Sequence, residues 1–163
     1  MSVMMPAEID YQEIIRTNQN ESPEYRISLV PHSEIDNIWP KVSRYLKLAS
    51  DQSYGRYRLI DIREKLERNE HQLWIVFDDQ QIVAAITSTF TFYPQCTSLH
   101  GQFLGGNNLE DWRDKFCDIF DRWGRDNGCK FIEFTGRPGW SKALAPNGYK
   151  EVFRIFQKEL THG

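Results

Sequence analysis

The sequence predicts an α/β (α+β) fold in a single domain: a mixed central sheet of about six strands flanked by helices. Three observations carry this. An amphipathic stretch beginning near Leu109 lies between two short apolar runs, and a strand, crossover helix and strand of that length imply a parallel pair. Upstream, apolar runs follow one another across short polar turns, as an antiparallel meander does. At 163 residues the chain has the size of one domain, large enough to bury roughly two thirds of its unfolded surface.

In chain order, residues 1–23 are polar, with Pro6 and a weak Ile9, Ile14, Ile15 grouping, and read as a tail before a domain at 24–163. Tyr25, Ile27 and Leu29 alternate with Arg26 and Ser28, the period of a half-buried strand that Pro31 stops. Ser33, with Asp36 three residues on, is the expected start of a helix carrying Ile35, Ile38, Trp39, Val42, Tyr45 and Leu46. Pro40 is expected to kink or split it. A polar loop at 50–57 contains Gly55, and Ile60, Ile62 and Leu66 mark a second helix over 59–68. Apolar runs at 73–77 and 82–92 flank Asp78-Asp79-Gln80-Gln81 and form a hairpin, and Tyr93-Pro94-Gln95 turns into a strand near Ser98.

That strand is expected to end in Gly105-Gly106, with Asn107 and Asn108 supplying cap chemistry and leaving backbone amides free for an anion. Leu109, Trp112, Phe116, Ile119, Phe120 and Trp123 then recur at helical spacing as one apolar stripe, and Gly124 and Gly128 mark the helix end. Residues 130–134 read as a short buried strand, and Gly136-Arg137-Pro138-Gly139-Trp140 as a stiff loop before another helical turn. Alternation of Val152 with Arg154, and of Phe153 with Ile155 and Gln157, predicts a last strand ending near Leu160. The order is β-α-α-β-β-β-α-β-α-β.

A formal net charge of −3 argues against a long nucleic-acid track. No run approaches the ~20 apolar residues that span a bilayer, and the first 21 residues lack the charged start and apolar core of a signal peptide. Cys96, Cys117 and Cys129 are odd in number and have no C-x-x-C pair, which suggests free thiols rather than a zinc site or disulfide framework. The expectation is a cytoplasmic protein with no nucleic-acid, membrane or metal partner.

With this element order, the chain from Tyr25 to Leu160 resembles the GNAT acyltransferase superfamily. Trp39-Pro40, Leu73-Trp74, Tyr93-Pro94, Gly136-Arg137-Pro138-Gly139-Trp140 and Gly148-Tyr149 look more narrowly like phage-encoded GNAT-like proteins of unassigned substrate. The resemblance implies a GNAT-like domain at 24–163 that uses acetyl-CoA, with a small-molecule or protein amine as acceptor. It places the cofactor on Leu104, Gly105, Gly106, Asn107 and Asn108, where amides and a helix N-terminus face the pyrophosphate. The sequence departs from the family at this loop: the Q-x-x-G-x-G/A pattern is missing, and Glu110 and Asp111 put negative charge beside the phosphates. Those acids equally suit a capped helix with no ligand. The family's tyrosine acid, four residues before a Gly-Phe that Gly148-Tyr149 matches, is Leu144 here.

His100, on the fourth strand, is the expected catalytic base, with hydrogen-bonded structure as the bland alternative. Glu133 on the fifth strand is the second candidate. Arg137 either holds a phosphate or carboxylate through paired bonds or fastens its loop to an acid such as Glu133. Tyr149 is either a core aromatic or a substitute acid, and Trp140 a core plug. Tyr54, Tyr57, Phe90, Phe92 and Tyr93 would anchor a protein partner if exposed. The competing function is a non-catalytic GNAT-fold binding or assembly protein, such as a host-protein inhibitor or a virion-associated component.

Overall fold

The period-two runs and the aromatic helix stripe need a common surface, and one five-stranded sheet supplies it. The structure, a computed structural model, describes residues 24–162. The predicted tail at 1–23 lies outside them. Strands β1 (Arg26–Leu29), β2 (Gln72–Phe77), β3 (Ile82–Phe92), β4 (Thr97–Gly106) and β5 (Phe131–Phe134) lie side by side in chain order. The first four are antiparallel, and β5 joins β4 in parallel, as the crossover predicts. Helices α1 (Ile35–Asp51), α2 (Leu59–Glu67), α3 (Leu109–Asp126) and α4 (Gly139–Leu144) complete the fold.

The sheet separates two cores. Beneath α3, Trp112, Phe116, Phe120 and Trp123 close over Trp74, Val76, Ile86 and Leu99. The ring centroids of Trp74 and Trp123 are 5.0 Å apart and those of Phe116 and Phe120 4.2 Å. Each large side chain so buried stabilises the fold by about 1.5–3 kcal/mol. Two indole nitrogens are satisfied too, Trp74 donating to Ser88 Oγ at 2.9 Å and Trp112 to the Asn107 carbonyl at 2.8 Å. On the other face, Val42, Tyr45 and Leu46 of α1 and Ile62 and Leu66 of α2 pack on Leu73, Ile75 and Phe103. Gly105 permits that approach, because a Cβ there would lie 2.0 Å from the Tyr45 carbonyl oxygen.

Several expectations are corrected. Ser33 does not cap α1, since His32–Glu34 forms a 3-10 turn and the helix starts at Ile35. Pro40 does not split α1, because the carbonyl it leaves unbonded belongs to Asp36 in the exposed first turn. Strand β4 does end at Gly106, and Gly105 and Gly106 are still paired with Ala85 and Ala84. Strand β5 is exposed to half-buried rather than buried. The sixth strand does not form: residues 150–162 carry no regular structure, and Phe153 and Phe156 are exposed. The cysteines are free thiols. No helix of the described residues is long and apolar enough to cross a membrane.

Candidate functional site

The site follows from how β4 changes neighbours along its length. Its first half pairs with β5 from Ser98↔Phe131 to Gly101↔Phe134, closed by the Thr135 amide on the Gly101 carbonyl at 3.3 Å. Beyond Gly101, residues 102–106 keep only β3 as a partner in the sheet, and the two parallel strands part. A bulge at the same place makes Gln102 an extra residue, since Thr87 faces Phe103 and Ser88 faces Gly101.

Neighbouring residues of β4 and β5 therefore serve different faces. Leu99, Ile132 and Phe134 belong to the core beneath α3. His100 and Glu133, paired in register, project from the opposite face. His100 Nε2 lies 2.6 Å from Thr135 Oγ1, and the Tyr93 hydroxyl donates to Glu133 Oε2 at 2.8 Å. Burial holds the His100 imidazole below its usual pKa, against a smaller opposing pull from Glu133. It is therefore neutral at pH 7 and able to accept a proton. The hydrogen bond to Glu133 raises the Tyr93 phenol, which stays protonated.

This row continues across the sheet. His100 faces Thr89, whose hydroxyl donates to the Glu70 carbonyl at 3.0 Å. Next to it His71 is buried, with Nδ1 lacking a hydrogen-bond partner, and desolvation and Lys65 push its pKa down to about 4. On the side toward the β4–β5 split, Gln102 donates to the Tyr57 hydroxyl at 3.2 Å, tying the 52–58 loop over β4.

The second part of the site is the N-terminus of α3. Asn108 occupies the cap position with φ 61°, but its side chain does not cap; it donates to the Tyr25 hydroxyl at 3.2 Å. The predicted side-chain cap is thus absent, and the Asn107 amide is taken by the Val83 carbonyl at 2.9 Å. A hollow of about 400 Å³ opens here, lined by Asn108, Leu109, Glu110, Asp111, Arg113 and Ala143. Arg113 is held across it by a bond to the Ala143 carbonyl at 3.2 Å.

The sequence-predicted residues divide accordingly. His100 and Glu133 come together, and Asn108 lines the hollow with both acids. Leu104 packs toward the α3 core and Gly105 is buried under α1, while Gly106 and Asn107 are exposed at the strand end. Arg137 is exposed after β5, and Glu133 is engaged by Tyr93 rather than by Arg137. Tyr149 is a core residue: its ring lies 5.4 Å from Phe134, and desolvation raises its buried, unpartnered phenol far above the usual range. Trp140 is half-buried and packs on Gly136 rather than plugging the core.

Sequence reasoning missed Thr135, Gln102, His71 and Arg113, and read Tyr93 as a turn residue and an aromatic anchor rather than as a partner of Glu133. Arg113 alone carried a signal, a basic residue in the second turn of α3 after an acidic first turn. Among the described residues no His, Cys, Asp and Glu cluster is arranged to hold a metal ion.

No protein-family model and no curated protein matches the sequence. Solved structures do match the fold. A probable acetyltransferase is 12% identical with a TM-score of 0.62, covering 85% of this chain and 99% of its own. An aminoglycoside N-acetyltransferase in complex with CoA is 12% identical with a TM-score of 0.61, covering 86% of this chain and 97% of its own. A GNAT family acetyltransferase from Staphylococcus aureus is 12% identical with a TM-score of 0.54, covering 83% of this chain and 98% of its own. The chain has the fold of the GNAT acetyltransferases.

Proposed function

We propose that this protein is a GNAT-like N-acyltransferase that moves an acetyl group from acetyl-CoA to an amine. The observation that carries the reading is the position of His100 and Glu133 beside the point where β4 and β5 part, on the face reached by the 52–58 loop. When bound, acetyl-CoA would supply an acyl thioester: the amine nitrogen bonds the carbonyl carbon, the C–S bond breaks, and CoA leaves as a thiolate that takes its proton from solvent, since Leu144 stands where the family has an acid.

The residues present fit such a ligand, with a weakened phosphate end. No side chain caps the first-turn amides of α3, and the hollow beside them carries Arg113. Those amides and the positive helix end favour a diphosphate, while Glu110 and Asp111 oppose it. Leu104, Gly105, Gly106, Asn107 and Asn108 line the way from the split to this end, and Arg137 is the second cation. The unpaired side of residues 102–106 offers backbone groups to the chain of the ligand. His100, neutral at pH 7, takes the proton from the attacking amine, and Glu133 passes it toward solvent. Thr135 holds the imidazole, and orientation in this cleft supplies much of the rate. A small-molecule amine is the simpler acceptor, as for the aminoglycoside N-acetyltransferase of the same fold.

Calorimetric titration with acetyl-CoA and with CoA tests the reading. Saturable binding of both supports it; no heat at millimolar ligand removes it. A second reading, a non-catalytic GNAT-fold binding or assembly protein of a phage, is favoured by buried Leu144 where the family's tyrosine acid stands. Absence of acetyl-CoA binding would favour it.

A further inference from the structure

The slot between β4 and β5 comes to an end, and what surrounds that end is well defined. Its floor is the last rung of the parallel pair, where Gly101 faces Phe134 and the Thr135 amide reaches the Gly101 carbonyl at 3.3 Å. Toward α3 it is filled by the Phe134 ring, which lies so close over Gly101 that a Cβ there would meet it at 2.2 Å. That ring packs in turn on Phe116, Phe120 and Tyr149. A group carried along β4 past Gln102 must therefore turn onto the face of His100, and on that face stands Tyr57. Its ring meets Phe103 edge-on at 4.9 Å, and its hydroxyl accepts from Gln102 Nε2 at 3.2 Å. Consecutive strand residues normally serve opposite faces; the bulge at Gln102 lets it and Phe103 hold the same ring. The main chain is tied as well, since the Tyr57 amide donates to Ser53 Oγ at 2.9 Å and that hydroxyl donates to the Tyr57 carbonyl at 3.2 Å. Tyr54 and Gly55, with φ 55° and 77°, turn the loop back toward β4.

We propose that Tyr57, held by Gln102 and Phe103, sets the length of the acyl group that this site takes, admitting acetyl and rejecting longer straight chains. The inference rests on the acyltransferase reading and specifies its donor. With the phosphates at the start of α3 and the ligand chain along residues 102–106, the thioester comes to the split at Gln102, and the acyl carbons are the part that extends past it. An added methylene meets either the Tyr57 ring or the polar row of His100, Glu133 and Thr135, which the amine must also reach. Displacing the ring breaks the Gln102 bond and the Phe103 contact. Lying over the polar row shuts out the acceptor and sets hydrocarbon against groups that need hydrogen-bond partners. Both routes penalise the longer chain, and a single methylene against an apolar wall is worth roughly 10- to 200-fold in discrimination.

Calorimetric titration of the full-length chain with acetyl-CoA, butyryl-CoA and hexanoyl-CoA tests this. The wild type should bind butyryl-CoA about 10-fold or more weaker than acetyl-CoA, and hexanoyl-CoA weaker still. Tyr57→Ala should remove most of that difference by strengthening the two longer esters. Tyr57→Leu, which keeps an apolar contact on Phe103, should do the same and carries the test if the alanine variant does not fold. Equal binding of the three esters by the wild type overturns the proposal and leaves the acyltransferase reading standing. A preference for acetyl-CoA that persists undiminished in the folded Tyr57 variants does likewise. No heat with any of the esters overturns both.

Discussion

Leu99 and His100 are adjacent on β4, yet Leu99 is sealed beneath α3 among aromatic rings while His100 sits on the opposite face in a row of polar groups. The α3 face is closed around packed aromatic rings, and the indole nitrogens of Trp74 and Trp112 are bonded. The other face is equally dry where α1 and α2 cover β2 and β3, but turns polar toward β5, with His71, Thr89, His100 and Glu133. The comparison teaches that the pleat lets one strand carry an apolar core on one side and a row of polar groups on the other. A titratable side chain placed between two buried neighbours is held in a fixed position.

Substitutions on the two faces should therefore separate stability from activity. The largest effect is expected at Phe120: Phe120→Ala leaves a cavity between Trp74 and Phe116 and should cost about 3–5 kcal/mol in urea unfolding. His100→Ala should leave the urea midpoint near that of the wild type while slowing acetyl transfer about 100-fold or more, with acetyl-CoA affinity retained. Glu133→Gln should slow transfer less. Unchanged turnover in both variants would remove the proton-transfer assignment, and a His100→Ala variant as unstable as Phe120→Ala would erase the contrast between faces.

The pH dependence of stability sharpens the same comparison. Folding lowers the His71 pKa from 6.5 to about 4, so in that window the unfolded chain holds a proton that the native chain does not. The melting temperature should fall as pH drops from 6.5 toward 4, and His100, shifted in the same direction, adds to the slope. His71→Gln should flatten the curve in scanning calorimetry. The smallest effect is expected at the mouth of α3. Glu110→Gln with Asp111→Asn should tighten CoA about 2- to 10-fold by calorimetry, because two like charges leave the diphosphate end. No tightening would move the phosphates elsewhere.

Much of this was legible in the chain. The aromatic stripe at 109–123, the hairpin around Asp78-Asp79 and the parallel crossover all follow from local periodicity, and all form. His100 and Glu133 could be named because they fall on the fourth and fifth strands, beside the cleft that the resemblance implies, although nothing in sequence said that they pair in register. Tyr93 and Thr135 were hidden because their partners lie 40 and 35 residues away. Arg113 was obscured by an acidic first turn, and the side-chain cap at Asn108 failed because Tyr25, from the other end of the chain, claims that amide.

Local pattern determined which segments are helices or strands and which faces are apolar, since side-chain period acts over neighbouring residues. Tertiary structure alone decided three matters: where β4 and β5 part, which polar groups meet across the sheet, and whether the alternating run at 151–160 finds an edge. A strand is completed by hydrogen bonds to a partner outside itself, so its sequence can state the capacity to pair but not where the partner lies.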